Sequence, residues 1–351
     1  MLRELKQITL RTAGALAIPS LLLQTKWRKR RLLILCYHGV SLDDEHLWNP
    51  NLYMPIGLLR GRFEMLKEQQ ANVIPLDQGV QGLYTGTLPE RSVVLTFDDG
   101  SYDFYHSVVP LLREFNYPAT VYLTTYYTGF NRPVFDVMCS YLLWKGQGQP
   151  LKCPDVLSSE VILDEKGRAT AWREIQRYAH KRGLSGREKD ALLASIAASL
   201  KIDYKNLCSR RILHLMTPDE VAAASRMGVD VQLHTHRHRV SVHRYKFLRE
   251  INENRSRIAA SSSAPVRHFC YPGGFHLPQF AAWLRDSGVI SATTCQPGLA
   301  CETSDPLLLP RLVDHSNLSR TEFLAWVSGL ASLLPHRHYA MSDGQLMEEA
   351  V

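Results

Sequence analysis

The chain has 351 residues, of which 45% are hydrophobic and 21% are charged, and this composition excludes a disordered or fibrous protein. Residues 1–31 hold eight basic side chains against one acid, so they account for the whole formal net charge of +7. The balanced remainder excludes a basic nucleic-acid-binding body, and no aromatic-interleaved basic surface accompanies the N-terminal charge.

The N-terminal segment 1–31 is basic and amphipathic. Its apolar part, residues 8–23, contains Arg11 and Pro19 and is too short and interrupted for a spanning helix, which needs about 20 apolar residues. Two interpretations stay open: an interfacial helix on anionic lipid, or a solvated basic arm on the domain.

The location of the protein is predicted from weaker signals. The segment shows no convincing signal-peptide cleavage site, and the seven cysteines form no Cys-x-x-Cys pair. These features predict a cytoplasmic protein that contacts the inner face of the membrane peripherally.

Two long apolar runs open the body of the chain, and each predicts a buried parallel strand. The first, residues 32–37, ends at His38. The second, residues 92–97, ends at Asp98-Asp99-Gly100, which taken alone is more typical of an ordinary turn. Between them the pattern predicts an amphipathic helix and a short strand, at residues 58–70 and 72–76.

A helix at 105–115 and a strand at 119–124 then complete a strand–helix–strand unit, which predicts a parallel α/β fold. Residues 130–216 break this rhythm. We interpret them as a mainly helical insertion, because the alternation resumes afterwards. Its predicted elements are helices at 134–145, 170–181 and 186–199 and a hairpin at 151–164.

The alternation resumes with a capping-box signature at Thr217 to Glu220, which opens a helix to about Met227. The predicted strands that follow lie at 229–233, 266–271, 289–294 and 307–311, and the helices at 246–260, 278–286 and 320–330. The predicted domain is therefore residues 32–330, followed by a polar tail at 331–351.

Four predicted strands end in residues that can carry chemistry: His38, Asp98-Asp99, His234 with His238, and Pro272-Gly273-Gly274. In a parallel barrel, all four ends surround one mouth. One carboxylate and two imidazoles make an open three-ligand metal site, and the adjacent carboxylate stays free to act as a general base. The two histidines alone would be equally typical of a polar basic loop, so the indication comes from the combination.

These residues carry a resemblance to a known family. Thr96-Phe97-Asp98-Asp99-Gly100 resembles the first motif of the polysaccharide deacetylases, the NodB-homology domain of carbohydrate esterase family 4. His234-Thr235-x-x-His238 matches the second motif, and Phe269-Cys270-Tyr271-Pro272-Gly273-Gly274 is similar to the third. The resemblance implies a distorted (β/α) barrel of about seven strands and metal-dependent hydrolysis of an acetyl group on a sugar.

The resemblance also implies roles for individual residues. Asp98 is the implied general base, and the N–H of Gly273 the implied oxyanion donor. The implied metal is zinc, with cobalt, nickel or manganese as alternatives. The implied metal ligands are Asp99, His234 and His238, and the residues expected to contact substrate are Tyr271, Pro272 and Gly274.

The family pattern is changed in two places: the first is the support of the base, and the second is the general acid. Cys270 stands where the third motif usually has the arginine that orients the base, and no clear fourth-motif aspartate follows. Arg311 is a candidate replacement, although a surface arginine after a proline is an equal alternative.

The general acid is the second departure. His38, in Leu35-Cys36-Tyr37-His38, resembles the circularly permuted branch that includes poly-N-acetylglucosamine deacetylases, and it is the expected acid. His315 is the alternative acid.

The expected function is removal of acetyl groups, N-acetyl by resemblance to that branch, from an acetylated glycan. A second hypothesis is a deacylase or deformylase of a lipid-linked sugar, and a third is a non-catalytic carbohydrate-binding homologue. The oligomeric state stays open.

Overall fold

The computed structural model describes residues 18–334, so the start of the predicted N-terminal segment and most of the predicted tail lie outside the described residues. The described strands are β1 Leu33–Tyr37, β2 Gly39–Val40, β3 Tyr53–Met54, β4 Asn72–Val73, β5 Ser92–Asp99, β6 Thr120–Leu123, β7 Pro150–Leu151, β8 Val161–Ile162, β9 Asp230–Leu233, β10 His268–Cys270, β11 Ser291–Thr293 and β12 Leu312–Val313.

Seven of these strands form one parallel sheet in the order β11-β10-β9-β6-β5-β1-β12, and β4 pairs with the start of β5. The segment that contains β12 contacts β11 at one edge of this sheet and β1 next to the other edge. The Leu309 N–H donates to the Ala292 carbonyl at 2.9 Å, while the Asp314 N–H donates to the Cys36 carbonyl at 2.9 Å. The sheet therefore curls into a barrel, which confirms the predicted fold class.

The described helices are α1 Ile18–Gln24, α2 Lys26–Lys29, α3 Glu45–Trp48, α4 Ile56–Glu68, α5 Leu76–Thr85, α6 Val109–Phe115, α7 Phe135–Lys145, α8 Glu165–Lys181, α9 Gly186–Ser199, α10 Tyr204–Ser209, α11 Pro218–Arg226, α12 Arg244–Ala259, α13 Pro278–Asp286 and α14 Arg320–Ser328. Every residue of β1 is buried, as expected for a strand that is covered on both faces. The barrel core therefore explains the continuous apolar runs of the sequence.

Three predicted elements differ from the structure. The predicted strand at 72–76 stops at Val73, because Pro75 lacks an N–H for the sheet and stands at the N-cap of α5, a helix that the pattern did not predict. The predicted helix at 105–115 starts with a π-helical turn, Phe104–Val108. The last predicted strand is displaced to Leu312–Val313.

The inserted segment forms a hydrophobic cluster of its own. Met138 of α7, Ile175 of α8 and Ile196 of α9 are fully buried within it. Helix α8 begins earlier than predicted because the Asp164 carboxylate accepts a hydrogen bond from the Gly167 N–H and so caps it. The hairpin predicted at 151–164 is the antiparallel pair of β7 and β8.

The described part of the N-terminal segment is tied to the barrel. Arg28 is buried, and its Nε donates to the Val327 carbonyl of α14 at 2.8 Å. Leu23 is also buried, whereas Leu21 is 66% exposed. Within residues 18–334, no helix has both the length and the apolar character needed to cross a membrane.

Candidate functional site

Three of the predicted metal ligands meet at the mouth of the barrel. Asp99 ends β5, and His234 and His238 follow β9. The Asp99 Oδ1 atom lies 3.3 Å from His234 Nε2 and 3.2 Å from His238 Nε2. The fold therefore brings one carboxylate and two imidazoles to a single point.

The chemistry of this cluster fits a divalent cation. Asp99 Oδ1 is buried and accepts no hydrogen bond of good geometry, although two imidazole nitrogens lie close to it. His234 Nδ1 lies 2.9 Å from the Cys270 carbonyl oxygen, so Nδ1 carries the proton and Nε2 presents its lone pair to the cluster. Oxygen and imidazole donors of this kind are typical of zinc and related metals.

The backbone is strained at and beside the ligand positions. Asp99, Thr235 and His238 have φ angles of 72°, 62° and 56°, in the left-handed region that non-glycine residues rarely adopt. Each such residue costs about 1–3 kcal/mol and persists only where the surroundings enforce it. Strain at this cluster indicates a functional constraint on the geometry.

The second carboxylate of the pair is held by an arginine. Arg311 is 0% exposed, and its Nη1 and Nη2 lie 2.7 and 2.8 Å from Asp98 Oδ1 and Oδ2. Burial raises the pKa of Asp98, but the charge and hydrogen bonds of Arg311 outweigh burial, and the pKa lies well below its ordinary value. Asp98 is therefore ionised at neutral pH, and Arg311 is not the surface residue that the alternative interpretation expected.

The position of Arg311 explains how the site accommodates a cysteine in the third motif. Cys270 Sγ lies 3.0 Å from Arg311 Nη2 and 3.4 Å from Asp98 Oδ2. The small thiol therefore leaves room for the guanidinium of Arg311, which directly precedes β12. Arg311 is held further by the Thr294 carbonyl at 2.9 Å and the Thr96 hydroxyl at 3.1 Å. A buried guanidinium thus faces Asp98 although the motif lacks its arginine.

The two candidate acids lie in different surroundings. His38 Nε2 is 3.8 Å from Asp98 Oδ2, and His38 lines the same cavity as Asp98. Burial lowers the pKa of His38, and the charge of Asp98 offsets this only in part. His315 lies beyond β12, where its Nδ1 accepts a hydrogen bond from the Asn317 N–H at 3.2 Å, and it does not line that cavity.

The glycine-rich turn adopts backbone angles that favour glycine. Gly273 and Gly274 have φ angles of 58° and 72°, and a Cβ added to Gly274 would lie 2.9 Å from the Cys295 Cβ. Gly273 is half-buried, whereas Tyr271, Pro272 and Gly274 are buried and do not line the main cavity. The substrate-contact and oxyanion roles of this turn stay predictions.

Two residues that the sequence analysis missed support the site. Asn254 is fully buried; its Oδ1 accepts from the His234 N–H at 3.0 Å and its Nδ2 donates to the Leu123 carbonyl at 2.9 Å. Asp103 is buried, and its Oδ1 accepts from the Val40 N–H at 2.7 Å, which secures the strand after His38. In the sequence, the sign of a structural role for Asn254 is that a polar residue stands on the apolar face of α12.

The site opens into a cavity of about 700 Å³. The barrel mouth contributes His38, Asp98, Asp99 and His238 to its wall, and helices α7, α8 and α9 of the insertion contribute further residues. A cavity of this volume is in the range of sites that bind small molecules or segments of a polymer.

The chain is similar to known proteins in sequence and in structure. The family model described as polysaccharide deacetylase matches residues 85–155 and 169–290, just over half of the chain. The poly-beta-1,6-N-acetyl-D-glucosamine N-deacetylase of Escherichia coli (strain K12) is 33% identical over 102 residues, which are 28% of this chain and 15% of that protein. The chain thus spans only a small part of this curated relative.

Two solved structures share the fold. The Streptococcus pyogenes deacetylase PplD in complex with acetate superposes with a TM-score of 0.56 at 16% identity, over 87% of this chain and 99% of that one. IcaB from Ammonifex degensii superposes with a TM-score of 0.54 at 14% identity, over 85% of this chain and 97% of that one. At these identities the likeness shows the fold.

Replacing Arg311 by methionine should lower the free energy of unfolding by about 3–5 kcal/mol, because Asp98 then remains as a buried charge without its partner. Chemical denaturation of both proteins measures the difference. The control is Arg60→Met, which breaks an exposed ion pair with Glu114 and should change stability far less. Equal losses in the two variants would contradict the prediction.

Proposed function

This chain belongs to the polysaccharide deacetylase family, and we propose on that basis that it hydrolyses acetyl groups, N-acetyl in preference to O-acetyl, from a polysaccharide or oligosaccharide. The observation that carries the proposal is that Asp98, paired with Arg311, lines one cavity with Asp99 and His238, and that these two residues form a cluster with His234. The name of the Escherichia coli relative, an N-deacetylase of a glucosamine polymer, supports an acetamido sugar as the substrate.

The metal would be held by Asp99, His234 and His238. Zinc is the proposed ion, because a site of two imidazoles and one carboxylate with open positions is typical of catalytic zinc. When bound, such an ion lowers the pKa of water and polarises a carbonyl group. The Cys270 carbonyl and Asn254 fix His234 on the side away from the cluster, which orients the ligand before any metal arrives.

Asp98 acts as the general base in the proposed reaction. Its carboxylate is ionised. Oδ2 contacts Arg311 Nη2 and the thiols of Cys36 and Cys270, whereas Oδ1 accepts a hydrogen bond from Arg311 Nη1 and keeps a second lone pair for the proton. Asp98 takes one proton from the water that attacks the acetyl carbon. Arg311 acts as a positioning residue, since it contacts the base rather than the reacting atoms.

His38 supplies the proton to the departing nitrogen. Because burial lowers the pKa of His38, its resting imidazole is neutral and must first gain a proton. The nearest source is the proton that Asp98 removes from water, since Asp98 Oδ2 lies 3.8 Å from His38 Nε2. The Gly273 N–H is the proposed donor to the oxyanion that develops on the carbonyl. The C–N bond breaks, and the products are acetate and a free amino sugar.

The test of this function is acetate release from a panel of acetylated oligosaccharides, with metal content measured on the same sample. We expect release that stops with a chelator and returns with added zinc. Asp98→Asn should lose about 10²–10⁴-fold in turnover, as expected for a general base, whereas Asp286→Asn, which changes an exposed acid paired with Arg244, should not. Substrate binding without any acetate release would favour the non-catalytic homologue instead.

The acid is identified by a pair of histidine variants. His38→Ala should lower kcat by about 10²–10⁴-fold, because the leaving nitrogen then departs without its proton donor. His315→Ala, which lies outside the cavity, should retain most of the activity. Steady-state kinetics on one acetylated oligosaccharide compare the two, and the reverse order of effects would reassign the acid to His315.

We further propose that residues 1–31 contact an anionic membrane at its inner face, which would also suit a lipid-linked sugar as an alternative substrate. The exposed side chains of Lys26 and Arg30 and of Leu21 support this proposal, since cations beside apolar groups favour an anionic lipid surface.

Removing two of these charges tests the membrane contact. Lys26→Gln with Arg30→Gln should weaken co-sedimentation with phosphatidylglycerol vesicles by about 30-fold, at roughly 1 kcal/mol for each cation. Lys152→Gln with Arg187→Gln, an equal loss of charge from exposed positions on the insertion, should not. Equal binding of all three proteins, or no binding at all, would contradict the proposal.

A further inference from the structure

The insertion and the loop after β9 give the cavity a wall that is rich in cations. Four basic side chains that line the main cavity are Arg177, Lys189, Arg237 and Arg239. Arg177 is paired with Glu174 at 2.6 Å, and Arg237 with Glu250 and Glu253 at 2.7 and 2.6 Å. Lys189 and Arg239 have no carboxylate oxygen within 4.0 Å anywhere in residues 18–334, so their charges remain available.

A second cavity of about 300 Å³ continues the first. The two cavities share Lys189 and Arg239, and the second adds Arg132. Arg132 is likewise without an ion-pair partner in the described part of the chain. We call Arg132, Lys189 and Arg239 the cationic wall.

The acids beside the cationic wall do not balance it. Asp136 lines both cavities, and Asp190 lines the second. The Asp190 Oδ1 accepts a hydrogen bond from the Tyr204 hydroxyl at 2.7 Å, which leaves the carboxylate charged. At the barrel mouth, Asp98 is paired with Arg311 and Asp99 faces two imidazoles. Asp136 and Asp190 therefore offset two of the three cations, and the cationic wall keeps an excess of one positive charge.

We propose that the cationic wall binds a phosphate group of the glycan whose acetyl group is removed, so that the substrate is a phosphate-bearing glycan. The inference rests on the proposed function and names its substrate class. Three cations from separate elements can engage three oxygens, which a phosphate offers and a carboxylate does not. A neutral glycan would leave the half-buried Arg132 and Lys189 without an anionic partner in a partly enclosed cavity, at a cost in binding.

The placement of the wall also fixes where the phosphate lies. Arg239 directly follows the ligand His238, so the phosphate sits close along the glycan to the acetylated sugar. Tyr126 and Phe130, which are 40% and 52% exposed, line the second cavity and offer apolar faces to the sugar rings. The insertion and the loops after β6 and β9 thus provide a binding surface beyond the barrel mouth.

The experiment compares two substrates that differ by one phosphate group. A β-1,6-linked N-acetylglucosamine trimer and the same trimer with a 1-phosphate are assayed for acetate release. We expect kcat/KM to favour the phosphorylated trimer by about 10-fold or more, and salt to reduce this preference, because ions screen exposed charges. Equal or better use of the neutral trimer would overturn the proposal.

Variants of the cationic wall test whether its side chains cause the preference for the phosphorylated trimer. Lys189→Gln and Arg132→Gln should each reduce the ratio of the two kcat/KM values by about 3- to 10-fold, as expected for the loss of one charge-assisted hydrogen bond. Arg187→Gln is the matched control, because Arg187 is exposed on α9 and lines neither cavity, and its ratio should stay unchanged. A ratio that none of the variants changes would remove the cationic wall as the phosphate site.

Binding of a glycan that cannot be deacetylated separates this proposal from the proposed function. A glucose trimer and its 1-phosphate contain no acetyl group, and calorimetry gives the dissociation constant of each. If no trimer releases acetate, the proposed function fails, yet tighter binding of the phosphorylated glucose trimer would still support the phosphate site. Equal dissociation constants would overturn it.

A final comparison distinguishes the source of the phosphate. The soluble N-acetylglucosamine 1-phosphate trimer is compared with the same sugar linked to a short prenyl phosphate. A preference for the soluble form, or for the prenyl form, supports the phosphate site and assigns the phosphate to a polymer or to a lipid carrier, respectively. Failure of both forms to exceed the neutral trimer would contradict it.

Discussion

The buried ion pair between Arg311 and Asp98 joins the closing edge of the barrel to β5. Arg311 directly precedes β12, and Asp98 lies near the end of β5. Because neither charge could stay buried alone, closing the sheet and orienting Asp98 are one requirement. The other features of the site depend on this pair, since it determines which of two adjacent carboxylates is committed to a cation of the protein and which faces the two imidazoles.

The two carboxylates differ because of their neighbours rather than their position in the sequence. Asp98 faces a guanidinium, whereas Asp99, with a left-handed backbone, faces two imidazoles. The supporting residues follow the same logic: Asn254 fixes the backbone of His234, and the Cys270 carbonyl fixes its ring. Rigid support of this kind lowers the cost of organising a site when substrate binds, because the groups already stand in place.

In the proposed function, the barrel carries the chemistry and the insertion contributes to substrate recognition. The barrel mouth supplies the carboxylates and imidazoles, which any member of the family with this geometry could use. The insertion, with its own hydrophobic cluster, adds outer walls of the cavity together with Arg132 and Lys189, and the loop after β9 adds Arg239. An element that folds around a separate core can change without disturbing the closed sheet, and it is therefore suited to carrying substrate preference.

The sequence by itself determined the parallel α/β alternation and the position of Asp98, Asp99 and the histidines at strand ends, and its resemblance to a family implied the barrel. Continuous apolar runs that end in polar residues report burial and strand ends directly. It could not determine the role of Arg311, for which a buried and a surface position were equal alternatives, because 213 residues separate it from Asp98 along the chain. The same reason applies to Asn254, to Asp103 and to the cationic wall. Their partners lie on other elements, and only the closed tertiary structure brings charges from distant segments within reach of one another.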